Sequence, residues 1–475
     1  MVFSEEGTVQ FTQSCKKYLK RLLPANQNQR LTTETRDVKF TFLVKRAVKE
    51  KLETGRALLE KGRLNEAIEA YFAAVELDPK CGISQFNLAY AYHEDGQYDM
   101  AREHYLKAIE REPTCPYFLE NLGRLNFETL DYPEAARLFQ RASMIGSIQP
   151  LSLGLWGRAL FEQALYEESI EAFQQLIQRE KQDVIHIGAL YWQIISNIKL
   201  ERMAAARTLA LKLLSKKKVD YKVLYDLGEH FIEVKCLDLA KTIFEKISIE
   251  KEEFLLSRLR LEDIRKLEKE INDMLPGLFE GDEDQLLYQI HSLQAVGNLR
   301  VSKAMLSLIE NPSPLVRENI LKYHTKYGYD ASDSLLPLLS DEVHFVRDAA
   351  YDYFVKLDNP NMLNLISEGM KDPLVEIRKK AFLFAGRYAS IEMAPSLELA
   401  AGCAANREIA DIIRQSISSI KRRYQENLDY LFKKSPSYMP LKEKYQKKIY
   451  WKFWFMIALQ GALVFYFLYV LFTRF

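Results

Sequence analysis

The chain has 475 residues, 48% of them hydrophobic, which is enough for about three domains with apolar cores. Sixty-six Lys and Arg face 65 Asp and Glu, a formal net charge of +1. A solenoid that tracks nucleic-acid phosphates is basic along its face, so this balance argues against nucleic-acid binding.

Residues 1–46 read as a polar, partly disordered N-terminal segment. Within it, Phe11, Tyr18, Leu19, Leu22 and Leu23 form one apolar face opposite Lys16, Lys17, Lys20 and Arg21. Such a face suits a membrane surface or a partner helix, or else a frayed capping segment; the early stop at Pro24 favours the cap.

From position 47 to 249 the chain repeats itself at one fixed interval. Gly55, Ala89, Gly123 and Gly157 share one register, and Ala67, Ala101, Ala135 and Ser169 share a second. Tyr71, Tyr105, Phe139 and Phe173 form a third, and Ala74, Ala108, Ala142 and Leu176 a fourth. Small residues at two fixed offsets let paired helices approach closely, and the aromatic fills the gap to the next pair. Turn signals such as Asp78-Pro79 and Glu112-Pro113 separate the units, so each is a helical hairpin that must stack on its neighbours. Apolar residues at helical spacing dominate and alternation at period two is nearly absent, which predicts an all-α fold.

This pattern resembles the tetratricopeptide repeat family. The unit carrying Leu88, Ala89, Tyr92, Gly96, Ala101, Tyr105, Ala108 and Pro113 meets its signature best. About six repeats are expected, the fifth degenerate and the sixth recovering with Leu227, Gly228, Phe231, Ala240 and Phe244. The resemblance implies a right-handed superhelix whose first helices line a concave protein-binding groove. In that register the groove would present Leu52, Arg56, Phe86, Asn87, Tyr90, Tyr117, Asn121, Arg124, Arg158 and Phe161. Asn87 and Asn121 share a position where related proteins hydrogen-bond the backbone of an extended peptide. An amide offers a donor and an acceptor, matching a peptide unit. Arg56, Arg124 and Arg158 share another and suit bidentate pairing with acidic side chains. The alternative is that all of these are ordinary solvated residues. The family's chaperone-tail carboxylate clamp is met at one position in five, because Leu52, Arg56, Tyr117 and Asn121 stand where other residues are needed. That argues against binding of chaperone tails.

Residues 250–273 hold fourteen charged residues and one apolar stripe (Leu261, Ile264, Leu267, Ile271), which predicts a charged connecting helix. From 274 to 423 a second, slightly shorter period takes over. Residues 311–317, 341–347 and 372–378 align, each beginning with Asn or Asp and ending in Arg317, Arg347 or Arg378. This resembles short HEAT repeats, in which the Asn or Asp caps the second helix and the arginine bonds a neighbouring repeat. The resemblance thus implies a HEAT-like α-solenoid in which these arginines form a structural ladder.

Residues 424–452 form a basic juxtamembrane linker: 421–452 hold ten Lys or Arg against three Asp or Glu. Residues 453–472 then run twenty positions with one amide and no charge, long enough at about 1.5 Å per residue to span a hydrocarbon core as a transmembrane helix. Lys442, Lys444, Lys447, Lys448 and Lys452 precede this run against Arg474 after it, so the N-terminal body is expected in the cytoplasm. A bacterial inner membrane fits the HEAT type, with an organelle outer membrane as the alternative.

No phosphate-loop, zinc-protease, nucleophile-elbow or dinucleotide motif occurs, and the seven histidines are scattered. His93 and His104 read as satisfied surface histidines. The five cysteines (Cys15, Cys81, Cys115, Cys236, Cys403) are odd in number and widely spaced, which suits a reducing compartment. No catalytic, cofactor or metal residue is therefore assigned. The expected function is a non-enzymatic, membrane-tethered scaffold or adaptor for a protein partner. A tail-anchored targeting receptor or co-chaperone is the alternative.

Overall fold

A computed structural model describes residues 33–433 apart from 147, 181, 251–254 and 405. The described residues are all-helical, with 22 α-helices joined by turns and short 3-10 segments and no strands. They divide into two compact units between Ser196 and Asn197. The expected membrane-spanning run 453–472, the five lysines before it and the amphipathic stretch 11–23 lie outside the described residues. Among the described residues, no helix is long and apolar enough to cross a membrane.

The first unit is a run of hairpins: α1 (Thr33–Glu60) with α2 (Leu64–Leu77), α3 (Gly82–Glu94) with α4 (Tyr98–Arg111), α5 (Pro116–Glu128) with α6 (Tyr132–Ile145), and α7 (Pro150–Glu162) with α8 (Tyr166–Arg179). Residues 33–46, read from sequence as part of a polar, partly disordered segment, instead belong to α1. No Pro or Gly interrupts the run from Thr33, so the helix propagates beyond Ala47 and Val48, where it becomes buried. Pro116 and Pro150 open α5 and α7 at a position whose N–H has no helical partner anyway. Asp131 caps α6 by accepting from the Glu134 amide.

The small-residue register has a direct steric cause. A Cβ on Gly55, Gly123 or Gly157 would sit 2.5, 2.9 or 2.7 Å from the ring of Tyr71, Phe139 or Phe173, each in the second helix of the same hairpin. Those rings are at most 2% exposed. The turn inside each hairpin needs a left-handed residue: Gly62 and Gly96 supply it in the first two, whereas Leu130 (φ 63°) and Ala164 (φ 59°) adopt it in the next two.

In the second unit, α10 (Met203–Leu214), α11 (Tyr221–Glu233) and α12 (Leu237–Glu250) are followed by α13 (Leu255–Met274). The sequence places α10–α12 with the first solenoid, but the break precedes them, inside α9 (Asp183–Lys199). Gly228 in α11 again meets an aromatic, Phe244 in α12, with a Cβ distance of 2.6 Å. Helix α10 packs against α16 (Pro314–Tyr327) and α18 (His344–Leu357). Gly328, with φ of 66°, follows α16 and lies so close to α10 that a Cβ would meet the Ala204 nitrogen at 2.2 Å.

Around that contact is a buried polar knot. The Arg207 guanidinium donates to both Asp238 oxygens (2.7 and 3.2 Å), to the Tyr327 carbonyl (3.2 Å) and to Cys236 Sγ (3.1 Å). It lies 4.2 Å over the Tyr329 ring, and the Tyr329 hydroxyl donates to Asp238. Burial pushes the Cys236 thiol up to about 12, although Arg207 works against it. A short backbone bridge, Leu237 N–H to the Gly297 carbonyl and Gly297 N–H to the Lys235 carbonyl, closes the same seam.

The arginine series is a ladder. Arg317 donates to Asp341 (2.8 Å) and to the Asn311 carbonyl, and Arg347 to Asp372 (3.0 Å) and the Asp341 carbonyl. Asp341 and Asp372 also accept the amides of Val343 and Leu374 just before α18 and α20 (Val375–Tyr388). Burial opposes their ionisation, yet the arginines and those amides outweigh it and hold both carboxyls below the usual value. Among the described residues, Arg378 reaches its own loop carbonyls, Asp372 and Pro373.

Candidate functional site

Helices α1, α3, α5 and α7 pack in sequence, and the repeat register assigns the expected groove positions to them. Tyr117 stands 43% exposed there, Arg56 is exposed, and Tyr90 and Asn87 are half-buried. Phe86 is a correction: it is 6% exposed and packs on Phe118, Tyr117 and Tyr105, with ring centroids 4.8, 5.0 and 5.6 Å apart, because its face is covered by the next hairpin. Asn121 is a second. It is 7% exposed and spends its amide on the Tyr117 carbonyl one turn back, as Asn87 does on Ile83. Only Asn87 retains access to an approaching peptide.

The three arginines of one register have three different environments. Arg56 pairs at 3.9 Å with exposed Glu60 one turn on, a contact worth little in water. Arg124 donates to Glu94 of the preceding repeat (2.9 Å), lies 3.5 Å from Glu128 and sits 5.5 Å over the Tyr90 ring. Burial works against its charge, but Tyr105, Glu128 and Glu94 outweigh it and hold its pKa above the usual value. Its charge is already matched within the fold.

Arg158 differs. Its guanidinium lies 5.0 Å over the Phe127 ring and 5.2 Å over the Trp192 ring, and Phe161 meets Trp192 edge-on at 5.0 Å. Among the described residues it has no carboxylate partner; its Nε, like that of Arg124, is buried without a hydrogen bond.

His93 and His104 are satisfied but not on the surface, being 4% and 7% exposed. His93 Nε2 meets Glu128 Oε2 at 2.8 Å, and His104 Nδ1 meets Gln85 Oε1 at 2.7 Å. Burial lowers the His104 pKa. Glu94 and Glu128 occupy one register, but the partners they meet across repeats are not written in it. Among the described residues no group of His, Cys, Asp and Glu has the arrangement of a metal site.

A family model described as tetratricopeptide repeat matches residues 52–114 and 94–144, in agreement with this geometry. No curated protein matches. Among solved structures, pilF of Pseudomonas aeruginosa is 16% identical, covering 47% of this chain and 98% of its own, with a TM-score of 0.36. YrrB, described as a repeat protein of this kind with an unusual peptide-binding site, is 16% identical over 40% of this chain and 96% of its own, TM-score 0.35. A structure of Naa15/Naa10 bound to HypK matches at 12% identity over 87% of this chain and 67% of that one, TM-score 0.33. Residues 52–144 are tetratricopeptide repeats within an all-helical repeat protein.

Proposed function

We propose that the chain is a non-enzymatic scaffold that holds a protein partner at the cytoplasmic face of a membrane. The groove of the first unit takes an extended segment of that partner, and the HEAT-like second unit offers a further surface. The run 453–472 is the tail anchor, behind the lysines from Lys442 to Lys452. The observation that supports partner binding is the stack of hairpins whose first helices carry Asn87, Tyr90, Tyr117 and Arg158.

A detergent-solubilised pull-down of the tagged full chain tests it. A partner should copurify stoichiometrically and be lost on combining Asn87→Ala with Tyr117→Ser, each removing about 1 kcal/mol of contact. Retention of the partner by that variant would move binding away from the groove. Release of the partner through a chaperone cycle would favour the targeting-receptor reading. A chain lacking 453–475 should fractionate as soluble protein; if it remains integral to membranes, the anchor is elsewhere.

A further inference from the structure

Of the three arginines that share one repeat position in the first unit, Arg158 has no carboxylate partner among the described residues. Arg56 and Arg124 occupy the same repeat position as Arg158, and both face carboxylates of their own chain, Glu60 for one and Glu94 with Glu128 for the other. Glu128, the acid nearest in register to Arg158, is committed to Arg124 and to His93. Glu162, one helical turn beyond Arg158, forms no ion pair with it among the described residues. The Arg158 guanidinium is instead held between two aromatic planes, Phe127 from the preceding repeat and Trp192 from the following helix. Stacking covers its faces and leaves the N–H edge as its means of recognition. A guanidinium fixed in this way loses little freedom on pairing and presents a planar fork to an incoming oxygen pair. Holding a half-buried cation without an anion is costly, and a ligand carboxylate would offset that cost.

We propose that Arg158, caged by Phe127 and Trp192, is the specificity point of the groove and selects a carboxylate side chain on an extended, acidic partner segment. This rests on the groove reading above and adds to it the charge of the partner and the place where that charge is read. Arg124, by contrast, positions Glu94, Glu128 and His93 and is not free to meet a ligand.

The test uses the full chain in detergent micelles and two fluorescent nonapeptide probes, one alternating Glu with Ser and one alternating Gln with Ser. Anisotropy titrations should show the Glu probe binding at least tenfold more tightly, with an advantage that shrinks as salt rises. Arg158→Gln should abolish the preference, and Arg158→Lys should keep less than half of it in logarithmic terms, since an ammonium cannot stack as a plane. Binding of the Glu probe should also change tryptophan emission, and Trp192→Phe should remove that change while the preference persists. Far-UV circular dichroism checks that each variant is folded; should Arg158→Gln not fold, Arg158→Lys and Trp192→Phe decide the matter. If both probes bind equally and Tyr117→Ser weakens both, the groove reading stands and the Arg158 proposal is overturned. If neither probe binds the unaltered chain, Arg158 does not select an acidic segment, and the groove reading is then judged by the pull-down alone.

Discussion

The two units solve the same problem, holding helices together, by different means. In the first, a glycine or alanine faces an aromatic within each hairpin, and the next hairpin seals the pair, so the packing runs between helices of the same or adjacent hairpins. In the second, Arg207 reaches both Asp238 and the far more distant Tyr327 carbonyl, and the Arg317 and Arg347 ladder carries ion pairs from repeat to repeat. A repeat array of the first kind sums local terms. The second kind is cross-braced, and its buried charges depend on all partners being present.

The sharpest way to break the comparison is a reciprocal pair of glycine substitutions. Gly328→Val combines a left-handed backbone with overlap onto the Ala204 nitrogen, and should cost about 2–6 kcal/mol. Gly123→Leu overpacks against Phe139 and should cost about 1–3 kcal/mol. Hydrogen exchange read peptide by peptide should show the first change loosening only helices beyond Asn197 and the second only those before Ser196. Spread of either effect across that division would show one cooperative body instead of two.

Acid should separate the units next. His324 is fully buried between Ser302 Oγ and the Ile320 carbonyl, and burial lowers its pKa from 6.5 to about 4. The fold therefore binds fewer protons than the unfolded chain between those values. Stability is complete above pH 6.5 and falls by on the order of 3 kcal/mol as pH drops to 4. Asp341 and Asp372, also depressed, add a further loss below roughly pH 4, where the unfolded carboxyls protonate. Urea midpoints against pH should show this slope in the second unit, and His324→Asn should flatten it between 6.5 and 4. An unchanged slope in that variant would remove His324 from the account. His104 acts in the same direction in the first unit, where burial lowers its pKa.

The smallest effect sharpens the reading of the first unit's turns. Leu130 is 69% exposed at φ 63°, so Leu130→Gly gives up little packing and relieves a left-handed side chain. The net gain should be below about 1 kcal/mol once glycine's extra chain entropy is counted, and Gly62→Ala should lose about 1–2 kcal/mol. Thermal midpoints that move the other way would contradict the steric account.

These turns also show what the sequence makes legible. Gly62 and Gly96 announce the left-handed position, whereas Leu130 and Ala164 occupy it with no local signal and are found only by counting one repeat length along. The groove positions follow from the same register, but which arginine is already neutralised does not, because Glu94 and Glu128 act across repeats. The register misplaces Phe86 and Asn121 for that reason: the neighbouring hairpin, not their own helix, decides their burial. The division at Ser196 is hidden because the repeat pattern continues through it. Contacts such as Arg207 to the Tyr327 carbonyl leave no periodic trace.

That knot bears on how the molecule would yield to a pull. Hairpins joined only to their neighbours can peel away one after another, each lengthening the chain by a single repeat. Helices α10–α12 cannot peel in that way while Arg207 holds Asp238 and the loop after α16, and the Cys236–Gly297 bridge stays closed. Under tension the first unit acts as an extensible spring, and the second as a latch that resists until it opens in a single step.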